Sequence, residues 1–104
     1  DALLFASRFK GEQHPLVLIE GLAAGCAVIT SRIAGICETV NHNEHAILMD
    51  DAGDAHEAAE HLFRIACHPD EFLAMRSNGR ELARRKYDWR AIAGQVEHIY
   101  FSLC

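Results

Sequence analysis

Apolar residues fall along the chain in short runs separated by polar turns. Three runs, at residues 2–6, 26–30 and 46–49, are continuous rather than alternating, which is typical of strands buried in a parallel sheet. The apolar segment 15–24 begins with proline, which suits the first position of a helix, and Gly25 follows where a helix commonly ends. A strand, a helix and a second strand joined by short turns predict a βαβ unit with parallel strands.

The second half of the chain changes to helical periodicity. Apolar residues recur at intervals of three and four after Asp54, and Asp88 precedes a second such stripe. Both aspartates are candidate N-caps, because their carboxylates can accept the free amides of a first helical turn. We predict helical segments at residues 36–40, 54–67, 72–86 and 89–103. The order β-α-β-(short α)-β-α-α-α is that of the C-terminal part of a doubly wound α/β domain, with a parallel sheet flanked by helices.

The composition permits a packed core and argues against two classes of function. Half of the 104 residues are hydrophobic. Asp+Glu 15 against Lys+Arg 10 give a net charge of −5, which argues against nucleic acid as a partner. No apolar run approaches the roughly 20 residues that cross a bilayer. The chain begins inside an apolar strand and without Met, so we expect it to be a segment of a longer protein.

The cysteines and histidines do not form a metal-binding pattern. The 4 cysteines never occur as C-x-x-C, and free thiols in a reducing, cytosolic setting are the simplest interpretation. The 7 histidines are scattered. His42 with His45, or His56 with His61, would make pairs, but no carboxylate or thiol completes a coordination shell at suitable spacing. We therefore predict no metal site.

Positive charge is concentrated between residues 76 and 90, where six bases accompany two acids. One interpretation is a patch that binds a phosphate-rich surface. The other is a solvated helix face whose cations lie near a helix C-terminus and interact favourably with its dipole. The sequence leaves both open.

The first predicted helix is apolar on every side except at Glu20, so we expect it to be buried. An unpaired carboxylate in such a place is costly. Glu20 should therefore meet a cation elsewhere in the fold, several N–H donors, or the hydroxyls of a ligand. His14, in the capping position, is a poor N-cap, which leaves the amides of Leu16 and Val17 without a side-chain acceptor. Free amides at this edge of a parallel sheet predict a phosphate site, about 7 Å along the helix from Glu20.

These residues carry a resemblance to a known family. Residues 11–29 resemble the donor-site segment of retaining glycosyltransferases with the GT-B fold, the large family that includes sucrose synthase and bacterial lipopolysaccharide transferases. Its hallmark is two glutamates separated by seven residues, here Glu12 and Glu20. Residues 30–38, 45–49 and 87–89 resemble the family's following loop, next strand and aromatic pair. The departures are Gln13 and His14 where glycine and a small or aromatic residue are usual, and Ala34 and Cys37 where glycine and proline are usual.

The resemblance implies a set of site residues. Glu20 would hold the ribose hydroxyls of a nucleotide-sugar donor, and Glu12 would contact the donor sugar at the reacting centre. His14 is the second candidate catalytic residue, with a loop histidine beside water as the alternative interpretation. The implied nucleotide-sugar contacts are Glu12, Gln13, His14, Pro15, Leu16, Val17 and Glu20. No cofactor is implied, since helix dipole and basic side chains balance the diphosphate without a metal.

The resemblance also implies an organisation for the whole protein. Residues 1–104 would be part of a C-terminal nucleotide-sugar-binding domain, inactive alone, with the upstream half and an N-terminal domain for a sugar or lipid-linked acceptor outside the chain. The expected location is cytoplasmic, with peripheral attachment to the inner membrane face as the alternative. The exposed stripe ending at Ile99, Tyr100 and Leu103 would invite self-association. Two other classes stay open: a non-catalytic or partner-dependent half-domain, and an unrelated nucleotide binder, although G-x-G-x-x-G and P-loop motifs are absent.

Overall fold

The chain forms a small parallel sheet with helices on both faces, in the element order that the sequence predicts. The computed structural model describes residues 1–6, 16–51 and 53–103. The strands are β1 (Ala2–Phe5), β2 (Ala27–Ser31) and β3 (Ile47–Met49); the helices are α1 (Leu16–Ala23), α2 (Ala34–Cys37), α3 (Ala55–Cys67), α4 (Leu73–Lys86) and α5 (Trp89–Ser102), and a 3₁₀ turn spans Pro69–Phe72. The predicted α/β class is confirmed, and the shared boundaries differ by a few residues at most.

The described strands lie side by side in the order β1-β2-β3, and both pairs are parallel. Ile29 in the middle of β2 lies opposite Leu4 of β1 and Ile47 of β3. All of β2 is buried, because it has a neighbour on each side and helices on each face. The carboxyl ends of β1, β2 and β3 therefore meet at one edge of the sheet.

The core consists of two apolar clusters, one on each face of the sheet. Val28 points to the face covered by α1 and α4, where it joins Leu18 and Leu22. Ile29 points to the opposite face and packs in a cluster with Phe72. Successive side chains of a strand project to opposite faces, so a continuous apolar run such as β2 supplies both clusters.

Local signals in the sequence set the ends of several helices. Gly25 has a φ of 78°, a left-handed conformation that lets the chain leave α1 and enter β2. Asp54 accepts hydrogen bonds from the amides of His56 and Glu57, and Asp88 accepts one from the amide of Arg90. Both predicted N-caps are confirmed, since each carboxylate satisfies amides that the helix cannot.

Candidate functional site

The structure corrects the expectation that α1 is buried on every side. Leu18, Gly21 and Leu22 form its buried stripe, whereas Glu20 is exposed. Leu16 is 58% exposed and Val17 is 49% exposed. The expectation failed because α1 packs on the sheet and on α4 with one face only, and an apolar composition does not by itself say what covers the other face. Burial therefore does not force a partner on Glu20.

The exposed face of α1 borders a groove that separates it from the junction of α4 and α5. The groove has a volume of about 580 Å³. Its walls are Leu16, Ile19, Glu20, Ala23, Lys86, Tyr87, Trp89, Ile92 and Gln95. A carboxylate and an ammonium group thus line a mostly apolar groove, and no ion pair forms with Glu20 among the residues that the structure describes.

Part of the predicted site lies outside the described residues. Glu12, Gln13, His14 and Pro15 fall in the segment 7–15, which is not described, so their predicted roles stay predictions. The other three predicted residues are Leu16, Val17 and Glu20, and the structure places them all on the exposed face of α1. Leu16 begins the helix four residues before Glu20, and the amides of a first turn have no partner within their own helix.

The carboxyl edge of the sheet carries polar residues that the sequence analysis did not single out. The Thr30 hydroxyl donates to the carbonyl of Phe5 at 2.8 Å, which ties the end of β1 to β2. The Ser31 hydroxyl is buried and has no hydrogen-bond partner among the residues that the structure describes. The Arg32 guanidinium donates to the carbonyl of Leu48 at 3.0 Å and lies 3.4 Å from the Asp50 carboxylate. Their signal in the sequence is the change from apolar to polar residues where β2 ends.

Two histidines organise the turn that leads into β3. The Nδ1 atom of His42 accepts the amide of Leu48 at 3.0 Å, and the Nδ1 atom of His45 accepts the amide of Asn41 at 3.0 Å. His45 is buried and His42 is exposed, and in both the main cause that lowers the pKa of the imidazole below the usual 6.5 is partial loss of hydration, which disfavours the charged form. In the described residues no three His, Cys, Asp or Glu side chains lie close enough together to hold a metal ion.

The basic stretch is partly committed to contacts within the chain. The Arg76 Nε atom donates to the carbonyl of Gly25 at 2.6 Å. Arg84 pairs with Glu81 at 2.6 Å, and Arg90 lies 3.5 Å from Asp88. Half of the six bases have partners inside the chain. Of the two interpretations of the basic stretch, these contacts favour a solvated helix face over a phosphate-binding patch.

The last helix packs least. None of its residues is buried, and the apolar stripe through Val96, Ile99 and Tyr100 is exposed, as predicted. None of the helices in the described part of the chain combines the length and apolar character of a membrane span. Cys26, Cys37 and Cys67 are free thiols.

Comparison with known proteins identifies the family. The family described as glycosyl transferases group 1 matches residues 1–82. The phosphatidyl-myo-inositol mannosyltransferase of Mycobacterium leprae (strain TN) is 32% identical over 97 residues, which are 91% of this chain and 25% of that protein. The N-acetyl-alpha-D-glucosaminyl L-malate synthase of Bacillus anthracis is 27% identical over 103 residues, which are 99% of this chain and 26% of that protein.

Solved structures agree with this assignment. Sucrose-phosphate synthase from Thermosynechococcus elongatus superposes with a TM-score of 0.74 at 35% identity over 86% of this chain and 22% of the other. Anabaena HepE, solved in complex with UDP, has a TM-score of 0.78 at 22% identity over 88% of this chain and 25% of the other, and shows likeness of fold. The chain spans about a quarter of the length of the relatives that it matches. It belongs to the glycosyl transferases group 1 family and has the α/β architecture of its GT-B members.

Proposed function

We propose that this chain forms the donor side of the active site of a retaining glycosyltransferase, which moves a sugar from a nucleotide-sugar to an acceptor. Family membership supports the reaction class, and the relatives include a phosphatidyl-myo-inositol mannosyltransferase and an N-acetyl-alpha-D-glucosaminyl L-malate synthase. The observation that carries the donor-side role is the position of Glu20. Its carboxylate is exposed on the same face of α1 as Leu16 and Val17 and lines the groove toward α5.

In this proposal Glu20 binds the ribose of the nucleotide. A carboxylate has two acceptor oxygens, which suit the two neighbouring ribose hydroxyls, and hydrogen bonds to an ionised acceptor are among the stronger ones. Glu20 lies four residues beyond Leu16, about 6 Å along the helix axis. That spacing accommodates a ribose beside Glu20 and its phosphate at the start of the helix.

The start of α1 binds the diphosphate. The amides of Leu16 and Val17 belong to the first turn and have no partner within the helix. Together with the positive end of the helix dipole they favour an anion at this point. We assign Gln13, His14 and Pro15 to the same contact by family resemblance. Charge balance from the helix and basic side chains makes a divalent metal unnecessary, so EDTA should leave transfer unchanged.

The transfer step follows from the same assignment. Glu12 contacts the donor sugar, and His14 donates or accepts a hydrogen bond there. The bond between the anomeric carbon and the diphosphate oxygen breaks, while the acceptor oxygen bonds to that carbon on the same face. The leaving phosphate takes the proton of the acceptor hydroxyl. Proton NMR of the product tests retention, since the anomeric coupling of product and donor should match.

Calorimetric titration of the complete protein with UDP and GDP tests the donor site. Glu20→Ala should weaken binding of the preferred nucleotide by about 10- to 100-fold. Hydrogen bonds to a charged group contribute roughly 1.5–3 kcal/mol, and the substitution removes them. Glu60→Ala is the matched control, because Glu60 is an exposed helical glutamate on α3, away from the groove. Equal affinities for the wild type and Glu20→Ala would contradict the ribose assignment. Binding without transfer would favour the non-catalytic half-domain instead.

A further inference from the structure

The connection between α2 and β3 is a tight turn held by two imidazole rings. Asn43 adopts a left-handed φ of 64°, and its amide donates to the carbonyl of Ala46 at 2.8 Å. Residues 42 and 46 are bridged, so the turn folds beside the start of β3. Within it, the Nδ1 atom of His45 accepts the amide of Asn41. The turn at residues 41–46 is therefore closed by a ring nitrogen as well as by main-chain contacts.

The imidazole ring of His42 binds the side of β3 that does not pair with β2. Leu48 is in the middle of β3, and its amide donates to Nδ1 of His42 while its carbonyl accepts from Arg32. Two side chains thus satisfy the polar groups of Leu48 that do not pair with β2. Arg32 directly follows β2, so this contact also anchors a guanidinium at the carboxyl edge of the sheet.

Both ring contacts require an unprotonated Nδ1 atom. A nitrogen that accepts an N–H cannot carry a proton, and protonation converts it into a donor that faces another donor. Binding of one proton to each ring, taken from solvent, would therefore replace each hydrogen bond by repulsion. The contacts also fix the tautomer, because the single proton of each neutral ring must lie on Nε2.

Charged groups from several elements surround the two rings. His42 faces Arg32 after β2 and His61 of α3, which disfavour its cation, and Asp50 after β3, which favours it. His45 faces Arg85 and Lys86 of α4, which disfavour its cation, and Glu44, whose carboxylate lies 3.7 Å from Nε2 and favours it. In each case the largest influence is loss of hydration, which opposes the charge; it is partial for His42, which is exposed, and stronger for His45, which is buried.

We propose that the turn at residues 41–46 is an acid-sensitive latch: neutral His42 and His45 hold it against β3, and protonation of their Nδ1 atoms opens it. Each Nδ1 atom accepts an amide, and partial loss of hydration lowers the pKa of both rings below 6.5, so the latch is closed at neutral pH and opens as the pH falls below that value. Opening frees the amides of Asn41 and Leu48 and loosens the strand that anchors Arg32. The latch concerns this turn alone and does not depend on the proposed donor site.

Nuclear magnetic resonance of the complete protein, labelled with ¹⁵N, tests the latch. At pH 7.5 both rings should show the neutral form with the proton on Nε2. Hydrogen exchange of the amides of Asn41 and Leu48, corrected for the intrinsic rate at each pH, should lose protection by at least about fivefold between pH 7.5 and pH 5.5, the effect of one lost hydrogen bond. A proton on Nδ1 at pH 7.5, or protection that does not change with pH, would overturn the proposal.

Variants separate titration from loss of an acceptor. His42→Asn keeps a side-chain acceptor near the Nδ1 position but does not titrate, so protection of Leu48 should become independent of pH while protection of Asn41 still falls in acid. His56→Asn is the control, because His56 is exposed and pairs with Glu60 on α3. Its pH response should equal that of the wild type. If His42→Asn fails to fold, the tautomer and the exchange of the wild type decide alone.

Discussion

At the crossing of α1 and α4, replacing a glycine by alanine should destabilise the protein, although the same substitution in an open part of a helix should stabilise it. Gly79 of α4 lies against α1, and a methyl group placed there would be 2.8 Å from Cδ2 of Leu22 and 3.3 Å from the carbonyl oxygen of His45. Leu22 is 1% exposed and belongs to the core, so its end cannot swing into solvent. The carbonyl belongs to the main chain and is tied to the turn before β3. The helices must therefore move apart to admit a side chain.

The magnitude follows from two opposing contributions. Alanine is preferred over glycine inside a helix by about 1 kcal/mol. Overpacking of a well-packed core costs about 1–3 kcal/mol. Gly79→Ala should thus lower the free energy of unfolding by up to about 2 kcal/mol. Urea denaturation followed by circular dichroism measures the difference.

Gly94→Ala provides the matched control. Gly94 lies in α5, and a methyl group there would meet nothing within 4 Å. The same substitution should then raise the free energy of unfolding or the helix content, by up to about 1 kcal/mol, because only the helix preference remains. If Gly79→Ala stabilises the protein as much as Gly94→Ala does, the close packing of α1 on α4 is refuted.

Three further predictions concern a cap, a pH response and a strand contact. Asp54→Ala should lower the free energy of unfolding by about 1 kcal/mol through loss of the α3 cap, as measured by urea denaturation. Asp54→Asn should keep most of the stabilisation from the cap in the same assay. The contribution of neutral His42 and His45 to the free energy of unfolding should be complete above pH 6.5 and should fall as the pH drops toward their lowered pKa values, because the unfolded chain binds protons first. A thermal melting temperature that rises on acidification from pH 7 to pH 5.5 would count against this. Thr30→Val should cost about 1 kcal/mol in a denaturant titration, since the carbonyl of Phe5 loses its donor, whereas a near-neutral Thr30→Ser would support the contact.

The fold was predictable because its signals are local. Gly25 and Asp54 act on residues within one turn, and the apolar run of β2 needs only two covered faces. The exposure of Glu20 was not predictable in the same way, because it depends on which distant elements cover α1. The contact from Arg32 to Leu48 joins residues 16 positions apart, and no periodic pattern in the sequence predicts it. Packing between elements, rather than propensity, decided these features.

Residue chemistry predicts a phosphate site at the start of the first helix, whereas the roles proposed for Glu12, His14 and Glu20 rest on resemblance. Residue chemistry alone offered Glu20 three kinds of partner, and the structure removes the premise of burial on which that choice rested. What remains is an exposed carboxylate about one turn beyond the start of α1, in a chain of the glycosyl transferases group 1 family. That combination supports the ribose assignment more directly than burial did, because a bound nucleotide could reach both the carboxylate and the start of the helix.

A thermodynamic cycle on the complete protein tests this assignment most directly. The dissociation constants of the preferred nucleoside diphosphate and of its 2′,3′-dideoxy analogue are measured by calorimetry for the wild type and for Glu20→Ala. We predict that the substitution weakens binding of the parent nucleotide by about 10- to 100-fold and leaves binding of the analogue nearly unchanged. The reason is that the analogue has no ribose hydroxyls from which the carboxylate could accept hydrogen bonds. Equal losses for both ligands, or no loss for either, would contradict the claim that Glu20 holds the ribose.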